Sequence, residues 1–333
     1  GTDFFEDEDL IPEENIVITL THQGYIKRLP SSTYRTQNRG GRGIQGMQTN
    51  EDDFVEHLVS SSTHDTVLFF SNKGKVYKAK GYEIPEFGRT AKGIPIINML
   101  QIEKGEWINA VITVKEYEED WYLFFTTKHG ISKRSPLSQF ANIRKGGLIA
   151  VGLREGDELI SVRLTDGNKD IMIATKLGYL IRFEEDQVRS MGRTAAGVRG
   201  ISLRDDDEVV SMEIIEKDMQ ILHVTNKGVG KRTPEEQYRK TNRGGKGIFT
   251  CKLTEETGHV VAVKAVTGEE DMMLMTVAGV LIRIPVSSVS VTGRNTQGVR
   301  LIRLQEEEEV ATAATVNKED EETFEEIDEI EEN

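Results

Sequence analysis

Cysteine is almost missing from this chain: Cys251 is the only one in 333 residues. No internal disulfide can form, so a reducing compartment is expected. No apolar run approaches the roughly 18 residues of a membrane span, and the start carries no basic-then-apolar signal segment, so a soluble protein is expected. Only 7 prolines stand among 31 glycines. The lack of any sustained 3.6-residue apolar period argues against a helical architecture. There is no Walker-type phosphate loop, no HExxH and no pair of Cys or His at ligand spacing, and the histidines are scattered at 22, 57, 64, 129, 223 and 259. The chain by itself is therefore expected to hold no metal or cofactor and no catalytic residue. Its 8 tyrosines read as packing groups.

What is present is one phrase written six times. A Ser or Thr followed three residues later by Gly recurs as Thr21/Gly24, Ser71/Gly74, Thr127/Gly130, Thr175/Gly178, Thr225/Gly228 and Thr276/Gly279, with glycine spacings of 50, 56, 48, 50 and 51. Each pair divides two short apolar runs of strand length, such as Val67 to Phe70 and Val76 to Tyr77, so each copy opens as a β-hairpin. A period near 50 is that of propeller blades and is too long for leucine-rich or ankyrin repeats. The expected fold is all-β: six propeller-like blades, each an antiparallel four-stranded sheet.

The net charge of −14 is unevenly spread. Residues 1–14 hold seven acids and no Lys or Arg, and residues 317–333 hold ten acids and one lysine, which leaves 39 acids against 41 basic residues between them. Residues 1–14 are thus read as an acidic linker, 15–316 as the six-bladed domain and 317–333 as a disordered acidic tail. Within the blades, the fourth residue after each anchor glycine is basic in all six copies: Arg28, Lys78, Arg134, Arg182, Arg232 and Arg283. The fifteenth is too: Arg39, Arg89, Lys145, Arg193, Arg243 and Arg294. Repeated cations on strands also deter edge pairing. Two positions, both basic in every copy, instead favour a belt of charge suited to the phosphates of a wrapped polyanion, duplex DNA.

Nineteen residues after the anchor stands another glycine in five copies, Gly43, Gly93, Gly197, Gly247 and Gly298, whereas the third copy has Ile149. The surrounding loops read GRTAKG, GRTAAG, NRGGKG and GRNTQG, in which Arg or Lys, including Lys92 and Lys246, projects beside bare backbone amides that can clamp phosphate. The first loop is the richest. Its Gly41, Gly43 and Gly46 satisfy GxGxxG, but no crossover helix or parallel-sheet pattern surrounds them, so a dinucleotide site is rejected.

That loop, Gln37-Asn38-Arg39-Gly40-Gly41-Arg42-Gly43, resembles the heptapeptide box QRRGGRG of the DNA gyrase A C-terminal domain, with Asn38 alone departing. The chain from Ile16 to about Val316 resembles that family's six-bladed β-pinwheel. The resemblance implies a domain that wraps duplex DNA on its rim with positive handedness, through the box, and so confers negative supercoiling. It also implies partners: the N-terminal cleavage domain of the same polypeptide and the gyrase B protein, in an A2B2 complex. There, ATP and Mg²⁺ act on other domains, and this monomeric fragment begins in the linker to the larger protein. Two other readings are the equivalent domain of topoisomerase IV, whose box is degraded or absent, and a propeller that serves as a protein-interaction platform.

Overall fold

The computed structural model describes residues 7–32, 53, 55–278 and 280–316. The recurring Thr-x-x-Gly is explained by local chemistry. In each hairpin the Ser or Thr hydroxyl accepts the backbone N–H four residues on, as from Tyr25 to Thr21 Oγ1 (3.0 Å), Ile131 to Thr127 Oγ1 (3.1 Å) and Val280 to Thr276 Oγ1 (3.0 Å). In the first five hairpins the same residue's carbonyl accepts the glycine N–H, 2.9 Å at Thr21/Gly24 and 3.0 Å at Thr127/Gly130. Gly24, Gly74, Gly130, Gly178 and Gly228 all have φ between +78° and +91°, a left-handed conformation that side chains resist.

Each hairpin grows into an antiparallel sheet. The first contains Val55–Ser62, Asn15–Thr21, Tyr25–Pro30 and Ile94–Pro95 in that order. Its three long strands belong to one repeat, and its short fourth strand comes from the next. The exchange recurs: Leu148–Ile149, Val198–Arg199, Ile248–Phe249 and Val299–Arg300 each complete the sheet of the preceding repeat. The sixth sheet, Leu281–Pro285, Asp271–Thr276 and Val310–Val316, has three strands among the described residues. The outcome is a six-bladed β-propeller of antiparallel sheets, as the repeat period implies.

The third long strand of each repeat, such as Val55–Ser62, Ile108–Val114 and Leu159–Thr165, lies beside its counterpart in the next repeat, at the inner end of the blades. There, Asn109 Nδ2 donates to the Leu159 carbonyl (2.7 Å) and Ser211 Oγ to that of Val263 (2.7 Å), while Glu213 pairs with Arg163 and, at 3.7 Å, with Lys264. The exchanged strands form the outer edge. The hairpin strands are buried on both faces, so their apolar residues run continuously, and alternate side chains feed different interfaces. Leu68 and Phe70 pack toward Leu123 and Phe125 of the third blade, whereas Val67 and Phe69 pack toward Ile16 and Ile18 of the first. Phe70 meets Phe125 edge to face at 5.6 Å, a geometry aromatic quadrupoles favour. The core is thus a series of slabs between neighbouring blades, and the outer edge is left for other work.

Candidate nucleic-acid interface

The outer edge is built from the loops that precede the exchanged strands. Each loop ends in a glycine with positive φ: Gly93, Gly147, Gly197, Gly247 and Gly298. A Cβ at Gly93 would stand 2.3 Å from the Ile26 carbonyl oxygen, and one at Gly197 2.3 Å from that of Ser132. Glycine is required there because the loop lies directly on the backbone of the neighbouring repeat. The third copy obeys the same rule. Gly147 immediately precedes its exchanged strand and a Cβ there would reach 2.7 Å from the Tyr77 ring, so that loop keeps its glycine two residues earlier than a constant count of nineteen places it. In consequence Lys145, although exposed, is not the counterpart of Arg89. That place is held by Ile143, only 5% exposed.

The two basic series part company. Arg89 is exposed. Arg193, Arg243 and Arg294 are half-buried, and each uses Nη1 to hold a carbonyl of the preceding exchanged strand: Ile149 (3.3 Å), Arg199 (3.0 Å) and Phe249 (3.0 Å). A guanidinium carries five donors, so Nη2 of each remains available as a donor from a fixed position, while Arg243 Nε also holds the Gln187 carbonyl at 3.0 Å. Lys92 lies 4.1 Å over the Tyr25 ring, and Lys246 is exposed.

The series four residues after the anchor glycine is not an exposed belt. Arg134 and Arg182 are 8% and 9% exposed. Arg28, Arg134 and Arg232 donate from Nε to the carbonyls of Ile84 (2.6 Å), Val188 (2.9 Å) and Val289 (2.8 Å), and Arg182 donates from Nη1 to Tyr238 (3.1 Å). These carbonyls each follow a single 3₁₀ turn of the next repeat, where helix ends leave acceptors unfilled. Arg283 pairs with Asp271 at 2.7 Å. Five of the six are therefore rivets within or between repeats, and Lys78 alone is exposed. The heptapeptide Gln37 to Gly43, with Arg39, and the acidic tail 317–333 lie outside the described residues, as do residues 1–6 of the acidic linker.

Six consecutive segments of the chain, residues 15–62, 65–115, 122–166, 169–216, 220–267 and 270–317, match the family model described as DNA gyrase C-terminal domain, beta-propeller. The chain belongs to the DNA gyrase C-terminal domain family. The DNA gyrase A subunit of Halalkalibacterium halodurans is 68% identical over 320 residues, covering 96% of this chain and 38% of the relative. That of Staphylococcus epidermidis is 56% identical over 323 residues, covering 96% and 36%. The chain thus spans less than two-fifths of the length of these relatives. A solved DNA gyrase A C-terminal domain superposes with a TM-score of 0.74 at 25% identity, covering 91% of this chain and 99% of that one. The C-terminal domain of DNA topoisomerase IV superposes at 0.80 and 25%, covering 97% and 100%. Backbone shape does not separate gyrase from topoisomerase IV, and both solved domains are 25% identical to this chain, whereas the two gyrase A relatives reach 68% and 56%.

In this member of the gyrase family, counting from the glycines misses two groups of residues. Arg189, Arg199, Arg239 and Arg300 are exposed on the outer edge or its flanking turns, yet none recurs in every copy. Lys27, Lys133 and Lys231 escape such a count because lysine in an apolar strand reads as an edge cation. All three are buried, and each stands immediately before the basic residue of the first series. Burial pushes the Lys133 ammonium down to about 7 from its ordinary 10.5, with the Arg193 charge adding to the effect. Burial likewise takes Lys231 down to about 8, with Cys251 opposing and Arg294 assisting.

The unfolded chain keeps these lysines protonated well above those values, so between pH 7 and about 10 it binds more protons than the folded domain. Stability is accordingly expected to rise with pH across that window. Urea midpoints measured at pH 7 and pH 9 should increase in the natural protein and increase less in Lys133→Met; parallel shifts in both would reject Lys133 as the titrating group.

Proposed function

We propose that this domain binds duplex DNA along its outer edge and bends it. Through its chiral, positive wrapping it enables ATP-dependent negative supercoiling by the gyrase holoenzyme. The observation that carries this reading is the outer edge itself. Loops with glycine-bared backbone beside arginine or lysine recur from blade to blade, and that pairing suits phosphate and reads no base. Bending about 40 base pairs through half a turn costs on the order of 10 kcal/mol. Counterion release from a handful of phosphate contacts has comparable weight, roughly three to five decades of affinity over modest salt changes. Wrapping therefore needs contacts repeated along the path, which a blade-by-blade series of loops supports.

In the complex, the cleavage domain of the same polypeptide and the gyrase B protein supply strand passage and ATP hydrolysis with Mg²⁺. The domain itself acts as a monomeric DNA-binding module in the cytoplasm. Gln37 to Gly43 is the proposed determinant of handedness.

The test is religation of nicked plasmid with increasing amounts of the domain. The natural chain is expected to shift linking number positively, and Arg39→Ala/Arg42→Ala to leave it near that of free plasmid. A double variant that shifts linking number as the natural chain does would remove the heptapeptide from the mechanism. A natural chain without effect would remove wrapping by the isolated domain.

A further inference from the structure

Lys27, Lys133 and Lys231 are 1%, 0% and 0% exposed, and each ends beneath an outer-edge loop contributed by the following repeat. Lys27 Nζ donates to the carbonyls of Gly88 (3.0 Å), Arg89 (3.0 Å) and Ala91 (2.8 Å). Lys231 Nζ donates to those of Gly293 (3.1 Å) and Arg294 (2.7 Å), and Lys133 Nζ to those of Arg193 and Ala150. The loop glycine rests on the same stem: a Cβ at Gly93, Gly197 or Gly298 would lie 3.1, 3.1 or 3.2 Å from the lysine Cβ. One fit is therefore made three times, at alternate blades.

The intervening blades provide an internal control. Their equivalent residues are Tyr77, Ile181 and Ile282, so the blade folds without a lysine there. The loops change with them. Over the lysines they read GRTAKG, GRTAAG and GRNTQG; over Tyr77 and Ile181 they read NIRKGG and NRGGKG, opening with Asn and carrying a Gly-Gly pair. Lysine and Gly-Arg loop thus occur together three times, although 60 to 63 residues separate each lysine from the loop arginine whose carbonyl it holds. Burying a lysine is costly unless its ammonium is fully hydrogen-bonded, and sister blades show that a tyrosine or an isoleucine serves packing.

What the lysine adds is orientation. No peptide bond among the described residues is cis, and a trans peptide points its C=O and N–H in opposite directions. Drawing the carbonyls of Arg89, Arg193 and Arg294 inward turns the amides of Thr90, Thr194 and Asn295 away from the lysine, and all three residues are exposed. Each loop then offers an amide beside its arginine, in a geometry set before any ligand arrives. We propose that Lys27, Lys133 and Lys231 are positioning residues for DNA binding, each holding its loop with carbonyls inward and amides outward to grip one backbone phosphate, so that preset phosphate sites alternate around the outer edge with glycine-rich ones. This rests on the DNA-binding reading above.

Two measurements test it. In the natural protein, titration with a short duplex is expected to shift the amide resonances of Thr90, Thr194 and Asn295. A duplex that binds without moving them overturns the inference and leaves DNA binding intact, whereas no binding at all overturns the DNA-binding reading and this inference with it. In Lys133→Met and Lys231→Met, duplex affinity is expected to fall roughly tenfold at physiological salt and the slope of log affinity against log salt to flatten by about one. Ile181→Met, in a blade without the lysine, should change neither. Natural affinity and slope in the lysine variants, with melting temperature recorded alongside, overturn the inference; if those variants do not fold, the amide titration of the natural protein decides alone.

Discussion

Replacing Arg89, Arg193, Arg243, Lys246 and Arg294 together by glutamine is expected to flatten the salt dependence of duplex binding by about 4 to 5 units of slope. The natural domain should lose roughly three decades of affinity between 50 and 200 mM salt, and the variant far less of an already weak affinity. These side chains stand at or beside the outer-edge loops and none belongs to a core slab. Three of them do hold a neighbouring carbonyl through Nη1, and a glutamine amide is too short to keep all of that reach, so a fall in stability of about 1 kcal/mol per site is also expected. Fluorescence anisotropy at several salt concentrations, paired with urea unfolding, separates the two effects. Equal slopes in natural and variant proteins would mean that DNA, if bound, is bound elsewhere.

The largest stability effect is expected at Arg134. Its guanidinium reaches Glu185 Oε1 at 3.4 Å and the Val188 carbonyl at 2.9 Å, and lies 4.4 Å over the Tyr122 ring. Glu185 is fully buried, and its other donors are Thr165 Oγ1 and the Lys169 amide, both at 2.8 Å. Arg134→Met would leave a buried carboxylate without its counter-charge, at a cost of about 3 to 5 kcal/mol. Lys78→Met, at the same position of the second repeat but exposed, should cost less than about 0.5 kcal/mol. Adding Glu185→Gln to Arg134→Met should recover part of the loss, because the stranded charge is then gone. Similar small effects at both positions would refute the distinction between rivet and surface cation.

That contrast marks where sequence reading succeeds. The Thr-x-x-Gly hairpins are legible because hydroxyl, carbonyl and left-handed glycine act within four residues, where spacing and geometry are almost the same thing. The basic series four residues on is equally regular in sequence, yet its direction is not written there. Arg28, Arg134 and Arg232 face 3₁₀ turns more than fifty residues away, and a one-dimensional count cannot tell a partner of that kind from solvent. The exchanged strands are hidden for a related reason: Ile94–Pro95, Leu148–Ile149 or Val198–Arg199 are two residues long and have no periodicity to read.

By itself, then, the sequence determined six hairpin-opening repeats, an all-β propeller, acidic ends around a nearly neutral body, and the family to which the heptapeptide and blades belong. These follow from local hydrogen bonding, apolar runs and composition. Only the tertiary structure decided which cations reach the outer edge, that Gly147 serves the third loop, and that lysines underlie alternate loops. Each of those depends on the next repeat laying its loop across the preceding sheet, where burial and the carbonyls within reach convert identical residue types into rivets, anchors or exposed cations.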